Sequence, residues 1–402
     1  MKAVILAAAP SDKLQPFTET RAKPMIRVAG RTILDYTIAH LKSAGVTEVV
    51  VVVNHLRETI EKQIGHGHQY GLSIEYIHQP QPDGIGGALL RCKEAMNGSP
   101  FLLIYGDVLV TGNPYPRVME QFQEMGGAVA AVTLPRRSGE FGNVYLDPDM
   151  RITRLVEKPT DPHLANYVLA GVFLLPSEVF SLLEAQGGDM EQVFQELIGK
   201  KQLNATLWDG EWLDITRPWH ILEANRMLMD QWENASVHHT VRMENNVHLE
   251  GPVHIGSHVV IGAGSVIKGP CYIGHGSYIG SSTLIREYTS LGPDSVVGYG
   301  TELKNCVLFG RSVLGRLSFI GDSVIGEDVH LGTGVCTVNF QKGVDDLSVK
   351  LAEGPMKTGM AKLGAMIGDH VSIGARHVLE PGSRIRARFQ APDLVTIPTE
   401  PW

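Results

Sequence analysis

Charged side chains follow two of the strand-like runs in the first half of the chain. Lys13 and Lys23 follow an apolar run at residues 2–8, and Asp107 follows another at residues 101–105. Parallel sheets flanked by helices bind ligands outside the carboxyl ends of their strands. Lysine suits phosphate oxygens, and carboxylates suit Mg²⁺, which takes one or two of them plus phosphates. A phosphate site is therefore one hypothesis, and the plainer alternative is that Asp107 only caps a turn.

The segments that would position these residues alternate between strand and helix patterns. Strand-like runs lie at residues 2–8, 48–53, 74–77 and 101–105, and helical apolar spacing occurs at residues 33–44 and 57–64. This alternation predicts an α/β domain with a parallel sheet and helices on its faces. A closing helix is predicted over residues 221–232, so we expect the domain to span residues 1–232.

The second half of the chain repeats every six residues. Thirteen apolar residues stand six apart without interruption, namely Val237, Met243, Leu249, Ile255, Ile261, Ile267, Ile273, Ile279, Ile285, Leu291, Val297, Leu303 and Phe309. This hexapeptide pattern is typical of a parallel β-helix, in which we expect each apolar residue to point inward. The pattern lapses between Asn339 and Gly364 and then resumes. We expect the β-helix to span residues 236–386, with residues 387–402 as an extended tail.

Composition narrows the class of protein and its partners. A chain of 402 residues is long enough for two or three domains, and its net charge of -8 provides no basic surface for nucleic acid. No apolar run reaches the length of a membrane span, and no cleavable signal pattern opens the chain. The four cysteines lack metal-ligand spacing and predict reduced thiols. We expect a cytoplasmic protein that binds neither nucleic acid nor membrane.

Residues 6–25 resemble the opening of the sugar-1-phosphate nucleotidyltransferases, and the resemblance continues through the whole N-terminal domain. In that family a glycine loop after the first strand holds triphosphate oxygens on its backbone N–H groups. The resemblance assigns Leu6, Ala8 and Ala9 to nucleotide binding and makes Lys23, which precedes a proline, a catalytic cation. The implied fold is a Rossmann-like nucleotidyltransferase domain followed by a left-handed parallel β-helix.

The same loop departs from the family pattern at four positions and has a proline between the first two of them. The family's glycines fall on Ala9 and Ser11, its threonine falls on Asp12, and its arginine falls on Lys13. Pro10 has no N–H to donate, and Asp12 adds a negative charge beside the expected triphosphate. Lys13 keeps a cation but loses the planar fork of arginine, and it is retained here as a candidate catalytic residue.

Later segments keep the family pattern more closely. The resemblance makes Gln79 the partner of a pyrimidine edge and Gly84 a point where the backbone approaches the base. It also implies that Asp107 and Asp214 hold Mg²⁺, which would help an anionic sugar phosphate to attack the α-phosphorus of an anionic NTP. Uracil and thymine remain equally compatible with Gln79.

The sugar 1-phosphate pocket of the family corresponds here to residues 141–144, 157–159 and 166–171. The resemblance implies that Gly142, Glu157, Lys158 and Asn166 bind the sugar phosphate. Glu157 would accept hydrogen bonds from sugar hydroxyls, and Lys158 would hold the phosphate. The alternative for Glu157 and Lys158 is a solvated strand end.

Within the repeat, residues 316–323, 331–340 and 362–369 resemble one branch of the family. This branch is the bifunctional glucosamine-1-phosphate uridylyltransferase/acetyltransferase group, especially its archaeal type. Its acetyl transfer uses a histidine base, which is Arg316 here, and its tyrosine is Phe319. Asn339, Lys350 and Lys362 correspond to positions that handle sugar phosphate and the acyl carrier. Arginine cannot accept a proton at pH 7, so this acyltransferase-like site is predicted to be inactive.

Three hypotheses therefore remain, each with NTP, sugar 1-phosphate or both as ligands. The chain is a nucleotidyltransferase using UTP or dTTP and a hexose or hexosamine 1-phosphate, or a non-catalytic relative that binds these ligands as a regulatory or scaffolding subunit. The third hypothesis is an acyltransferase with a different base. The family resemblance also implies a homo-oligomer, a trimer or a larger assembly, formed through the β-helix.

Overall fold

The computed structural model describes residues 1–9, 11–134, 143–156, 167–351 and 354–394, and the chain divides into two compact units. The first unit consists of Met1–Pro10, Ala22–Met25 and Ile33–Asp214, and the second of Ser11–Arg21, Ile26–Thr32 and Ile215–Trp402. Two short segments after the first strand therefore pack within the second unit. The compact units interleave along the sequence, whereas the domain boundaries given above are linear and stay predictions.

The first unit is built on a nine-stranded sheet with a parallel centre. In chain order the strands up to residue 214 are β1 (Lys2–Leu6), β2 (Arg27–Val28), β3 (Arg31–Thr32), β4 (Glu48–Val53), β5 (Ser73–His78), β6 (Phe101–Tyr105), β7 (Val108–Val110), β8 (Ala128–Thr133), β9 (Asn143–Leu146), β10 (Ile152–Val156), β11 (Tyr167–Leu175), β12 (Leu203–Leu207) and β13 (Trp212–Asp214). Of these, β2 and β3 pair with each other and belong to the second unit. The sheet order is β10-β9-β11-β6-β1-β4-β5, and β8 pairs with both β11 and β12. As predicted, β6, β1, β4 and β5 are parallel neighbours, whereas β11 runs antiparallel to β6.

Helices cover both faces of this sheet. The α-helices of the described residues are α1 (Ile33–Ser43), α2 (Arg57–Ile64), α3 (Gly84–Met96), α4 (Tyr115–Met125), α5 (Val179–Ala185), α6 (Met190–Gly199) and α7 (His220–Met229), the last of which belongs to the second unit. Successive side chains of a strand point to opposite faces. On β1, Ala3 and Ile5 enter one apolar core and Val4 enters the other. In the described part of the chain, no helix has the length and apolar character needed to cross a membrane.

The second unit contains a parallel β-helix with three faces. The first face consists of Ser236–Val237, Val253–Ile255, Cys271–Ile273, Thr289–Leu291, Val307–Gly310, Val324–Glu327, Met366–Ile367 and Arg384–Ile385. The second consists of Arg242–Met243, Val260–Ile261, Tyr278–Ile279, Val296–Val297, Val313–Leu314, His330–Leu331, Ser372–Ile373 and Gln390–Ala391. The third consists of His248–Glu250, Val266–Lys268, Leu284–Ile285, Glu302–Lys304, Phe319–Gly321, Cys336–Thr337 and Val378–Leu379. The predicted fold class, an α/β domain followed by a left-handed parallel β-helix, is confirmed.

The hexapeptide period is shortened by one residue at two places, which the sequence pattern did not reveal. The inward apolar positions step from Leu303 to Leu308 and from Ile320 to Ile325, so each of two successive coils is one residue short. The prediction that Phe309 points inward was therefore wrong, because Leu308 takes that place opposite Leu291. Two further members of the series, at the open first coil, remain partly exposed: Val237 and Met243, at 42% and 41%.

Between its sixth and seventh coils the β-helix sends out an antiparallel hairpin. Its strands are Ser348–Leu351 and Gly354–Lys357, and the coil register resumes where Ile367 pairs with Ile325. The lapse of the hexapeptide pattern between Asn339 and Gly364 thus contains the hairpin, and the same three faces of the β-helix continue after it.

Candidate functional site

A buried lysine joins two carboxylates in the first unit. The Nζ atom of Lys23 donates to Asp107 Oδ2 at 2.6 Å and to Asp214 Oδ1 at 3.3 Å. Lys23 is only 8% exposed. Burial opposes its charge, but attraction to Asp107 and Asp214 outweighs that effect, so the pKa of Lys23 is raised above its usual value. Three of the sequence-predicted residues therefore form one cluster, in which a buried ammonium lies between two carboxylates.

Strand geometry brings the two carboxylates together. Asp107 lies just beyond β6, where the N–H of Gly106 donates to the carbonyl of Leu6 at 2.9 Å. A Cβ atom at Gly106 would lie 2.6 Å from that oxygen, so this close approach requires glycine. Asp214 ends β13, which pairs with β7 and sets Asp214 opposite Val108. The chain thus places both carboxylates after or beside strand ends, where parallel sheets bind ligands.

A cavity of about 300 Å³ opens beside this cluster and contains Asp107 in its wall. The other lining residues are Leu6, Ala8, Ala9, Gln79, Pro82, Gly84, Ile85, Ala88 and Tyr105. All five residues that the family resemblance assigned to nucleotide binding are among them. The lining is mainly apolar, and its polar side chains are those of Gln79, Tyr105 and Asp107, which is the common composition of a small-molecule site.

The amide of Gln79 is fixed within the wall of the cavity. Its Nε2 atom donates to Asp83 Oδ1 at 2.6 Å and to the carbonyl of Gly84 at 3.0 Å. Gln79 is 5% exposed, and Asp83 also accepts from Arg91 at 2.7 Å. The hydrogen bond from Gln79, followed by the effect of Arg91, lowers the pKa of Asp83. The Asp83 carboxylate is therefore ionised and acts only as an acceptor.

Comparison with known proteins identifies the family. A family model described as nucleotidyl transferase matches residues 2–231, and one described as the GMPPB C-terminal domain matches residues 267–341. The bifunctional protein GlmU of Methanocaldococcus jannaschii is 32% identical over 392 residues, which are 96% of this chain and 92% of the relative. The chain belongs to the nucleotidyl transferase family.

Other relatives agree with this assignment. The bifunctional sugar-1-phosphate nucleotidylyltransferase/acetyltransferase of Sulfurisphaera tokodaii is 30% identical, with 96% of this chain and 94% of the relative covered. A crystal structure from Bacillus anthracis, described as a glucose-1-phosphate thymidylyltransferase in complex with sucrose, has a TM-score of 0.53 and 23% identity. It covers 56% of this chain and 94% of its own, and it supports the fold alone. The predicted family and the predicted class of enzyme, a nucleotidyltransferase, are confirmed.

In this nucleotidyl transferase, the segment that follows β1 is stabilised by hydrogen bonds between its own residues. The carbonyl of Ser11 accepts from the N–H of Leu14 at 2.9 Å and from Thr18 Oγ1 at 2.7 Å. Lys13 is exposed in a short 3-10 helix, Asp12–Leu14, and this segment belongs to the second unit. The structure therefore places Lys23 with the carboxylate cluster of the first unit, whereas the catalytic assignment of Lys13 stays a prediction.

The far end of this loop is attached to the last coils of the β-helix, within the same unit. Arg384 Nη2 donates to the carbonyl of Gln15 at 2.9 Å, and the N–H of Ala387 donates to Glu19 Oε2 at 2.8 Å. The ring of Phe17 lies edge-on to that of Phe309, with 5.2 Å between centroids. These contacts explain why Ser11–Arg21 packs with the second unit.

The residues predicted to bind sugar phosphate lie outside the described part of the chain. Gly142, Glu157, Lys158 and Asn166 belong to this group. The strands that flank them, β9, β10 and β11, pair with one another at one edge of the sheet. The assignment of a sugar-phosphate pocket to these residues therefore stays a prediction.

The five residues of the predicted acyltransferase-like site have different environments. Arg316 is exposed at a corner of the coil, and Phe319 begins the strand Phe319–Gly321. Lys350 and Lys362 are exposed, the first on the hairpin strand Ser348–Leu351. Asn339 is buried, and its Nδ2 atom donates to Asp322 Oδ2 at 2.5 Å. Asn339 is thus part of the internal hydrogen bonding of the coil.

Sequence reasoning missed Asp83, which precedes α3 and contacts Gln79, and Arg91, which lies within α3 and contacts Asp83. Asp83 occupies the position before the first helical residue, where an aspartate usually accepts an N–H of its own helix. Its side chain makes no such cap hydrogen bond and faces Gln79 and Arg91 instead. The sequence shows an aspartate before Gly84, but only the folded turn shows that its carboxylate accepts a hydrogen bond from Gln79.

Proposed function

We propose that this protein transfers a nucleotidyl group from UTP or dTTP to a hexose or hexosamine 1-phosphate, with release of pyrophosphate. The observation that supports this most directly is the cluster of Lys23, Asp107 and Asp214 at a cavity that also contains Gln79. The family membership supports the reaction class, and the relative from Sulfurisphaera tokodaii is named as a sugar-1-phosphate nucleotidylyltransferase/acetyltransferase. The choice of nucleotide and sugar rests on the sequence resemblance.

Lys23 supplies the positive charge that the reaction requires from the chain itself. An anionic sugar phosphate must approach an anionic α-phosphate, so catalysis depends on alignment and charge neutralisation. Because the pKa of Lys23 is raised, its ammonium remains charged at every pH at which such an enzyme works. The adjacent cavity would hold the base and ribose, with Gln79 fixing the orientation of the base.

Asp107 and Asp214 are suited to hold a divalent cation, and we propose Mg²⁺. Among the described residues no three His, Cys, Asp or Glu side chains form a ready-made metal site. However, the two carboxylates already converge on one cationic group, the ammonium of Lys23. Mg²⁺ needs only one or two carboxylates when phosphates supply further oxygens. When bound, it would neutralise phosphate charge during the transfer.

A pyrophosphate-release assay tests the proposal across UTP, dTTP, GTP, CTP and ATP with hexose and hexosamine 1-phosphates. We expect turnover with UTP or dTTP and one sugar phosphate. Asp107→Asn should lower kcat by about 10³, because the cation contributes several kcal/mol to charge stabilisation. The control Asp209→Asn alters a carboxylate on the surface and should leave kcat unchanged. Equal rates for Asp107→Asn and the unmodified chain would contradict the assigned role of Asp107.

A binding subunit without turnover is the second candidate function. It is favoured by the loop after β1, where Ala9 and Ser11 replace the family's glycines and Pro10 has no N–H to donate to a phosphate. The same assay separates the two candidates. No pyrophosphate from any pair, together with a higher melting temperature in the presence of a sugar 1-phosphate, would favour the binding subunit.

We infer that the β-helix does not transfer acetyl groups through a histidine base. Arg316 replaces that base and cannot accept a proton at neutral pH. The amide of Asn339, a second residue of the expected site, is bound to Asp322. Acetyl-CoA consumption with glucosamine or galactosamine 1-phosphate should therefore stay at background, and activity that disappears in Arg316→Ala would contradict this inference.

We also propose that the protein forms a homo-oligomer through the β-helix, with a trimer as the family-based expectation. Large apolar side chains are exposed on neighbouring coils, including Tyr299 at 52% and Leu317 at 64%. These two residues are adjacent, since the N–H of Leu317 donates to the carbonyl of Tyr299 at 2.9 Å. Light scattering during size-exclusion chromatography should give a multiple of 43.9 kDa, and a monomer would contradict the proposal. The cytoplasmic location stays a prediction.

A further inference from the structure

The side chain of Gln79 is held in one of its two possible amide orientations. Both partners described above for its Nε2 atom are acceptors, a carboxylate oxygen of Asp83 and the carbonyl oxygen of Gly84. Turning the amide by 180° would place Oε1 against two oxygen atoms. The hydrogen-bond network therefore fixes the nitrogen on the side of Asp83 and Gly84, so the oxygen is the amide atom that faces away from these two acceptors. Gln79 lines the cavity, and this oxygen is its candidate contact to a bound base.

Asp83 is itself held in place by Arg91, and the neighbouring Gly87 leaves room for its carboxylate. Arg91, about two turns into α3, binds its Oδ2 atom at 2.7 Å and also donates to the carbonyl of Gly87 at 2.6 Å. A Cβ atom at Gly87 would lie between 2.3 and 2.7 Å from the carboxyl group of Asp83. The missing side chain at Gly87 thus makes room for the carboxylate.

We propose that Asp83 is a specificity-determining residue that sets the amide of Gln79 to accept a hydrogen bond from the base. This inference rests on the proposed function, in which the cavity binds the base of an NTP. An amide oxygen can accept from the N3–H of uracil or thymine, whereas N3 of cytosine is an acceptor and would face it without a proton. Asp83 therefore acts through Gln79 to select uracil and thymine against cytosine.

UTP and CTP form the sharpest pair for the test, because their bases differ only at N3 and the group on C4. Isothermal titration of the full-length protein with UTP and with CTP, in the presence of Mg²⁺, gives the ratio of their dissociation constants. We expect UTP to bind more tightly to the unmodified chain. Asp83→Ala should reduce that preference by about tenfold, since a well-made pair of hydrogen bonds contributes discrimination of this order.

Two further variants separate positioning from general damage. Asp83→Asn retains an acceptor oxygen for Gln79 and should keep most of the preference for UTP. Gly87→Ala should displace the carboxylate and lower the preference in the same direction as Asp83→Ala. Glu94→Ala, an exposed change on the same helix, should leave the ratio unchanged. Melting temperatures of all variants show whether each one folds.

The outcomes distinguish this inference from the proposed function. Equal weakening of UTP and CTP in Asp83→Ala, with the ratio unchanged, would show that Asp83 only stabilises the turn. The inference would then fail, while turnover of the unmodified chain with UTP would leave the proposed function intact. If the unmodified chain bound neither nucleotide, both would be overturned. A preference of the unmodified chain for CTP would also contradict the inference.

Discussion

Arg21 and Lys23 are two positions apart in the sequence, and both form buried ion pairs, but the two pairs have different surroundings. Arg21, in the second unit, and Lys23, in the first, are 7% and 8% exposed, and each contacts two carboxylates. Arg21 binds Asp369 and Glu327, with its guanidinium 4.6 Å from the centre of the Phe309 ring.

The two cations differ in how far their carboxylate partners are enclosed by the protein. Asp369 also accepts from Thr20 Oγ1 at 2.6 Å and from the N–H of Glu327 at 2.8 Å, so its oxygens are engaged within the protein. The carboxylates of Lys23 are partly exposed, and Asp107 borders the cavity. Burial and pairing are common to both cations, so they do not by themselves mark a functional site. The open cavity beside Asp107 is the feature on which we base the proposal that the Lys23 cluster is functional.

The largest expected effect comes from removing the cation of the structural pair. Arg21→Met should lower the free energy of unfolding by about 3–5 kcal/mol, because Asp369 would stay buried without its partner. Urea unfolding that monitors the transition of the second unit measures this change. Arg311→Met is the matched control, because Arg311 binds Glu327 and Asp328 at the surface and should contribute only about 0–1 kcal/mol. Equal losses in the two variants would contradict the comparison.

Removing the cation of the Lys23 cluster should affect the catalytic rate more than the stability of the protein. Lys23→Met should lower kcat by about 10²–10³, the usual effect of losing one group that stabilises transition-state charge. The loss of unfolding free energy should be smaller than for Arg21→Met, because water reaches the carboxylates that remain. Pyrophosphate release and thermal unfolding are measured on the same preparation. A variant that unfolds as readily as Arg21→Met and yet retains kcat would reverse the two assignments.

The smallest effect concerns pH. The pKa of Lys23 is raised above 10.5 in the folded protein, so the stability that its charge contributes is fully present below pH 10.5. That contribution is lost as the pH rises through the folded pKa. We expect no change from this group between pH 7 and 9, and a fall in stability above pH 10.5 that Lys23→Met lacks. Thermal unfolding of both proteins across this range is the measurement, and identical alkaline profiles would exclude Lys23 as the cause.

The sequence predicted the two kinds of architecture because both depend on local periodicity. Alternating apolar runs predicted the parallel centre of the sheet, and the spacing of residues such as Ile261 and Ile267 predicted the coil. Antiparallel β11 was not predicted, because strand direction depends on where a distant segment returns. Phe309 was misplaced because a one-residue deletion in a coil leaves apolar residues at neighbouring positions, and Leu308 and Phe309 both fit the pattern.

The candidate site was predicted in part for a similar reason. Gln79, Gly84 and Asp107 follow recognisable strands and turns, so motif reasoning found them. The contact of Lys23 with Asp107 and Asp214 joins three distant parts of the chain and needs the folded sheet. Asp83 was missed because an aspartate before a helix has an ordinary explanation as a cap, and only the structure shows that it turns towards Gln79.

The two shortened coils contain a set of hydrogen-bonded side chains that holds successive coils of the β-helix in register. Asn305 and Asn339 both donate to the carboxylate of Asp322, at 2.7 and 2.5 Å, and each is 17 residues from it. A solenoid contacts only its neighbouring repeats, so a slip at one coil would shift every coil after it. A slip here would instead break two buried hydrogen bonds at once. The three side chains thus fix the register of successive coils just before the hairpin, where the repeat itself does not specify which residues must pair.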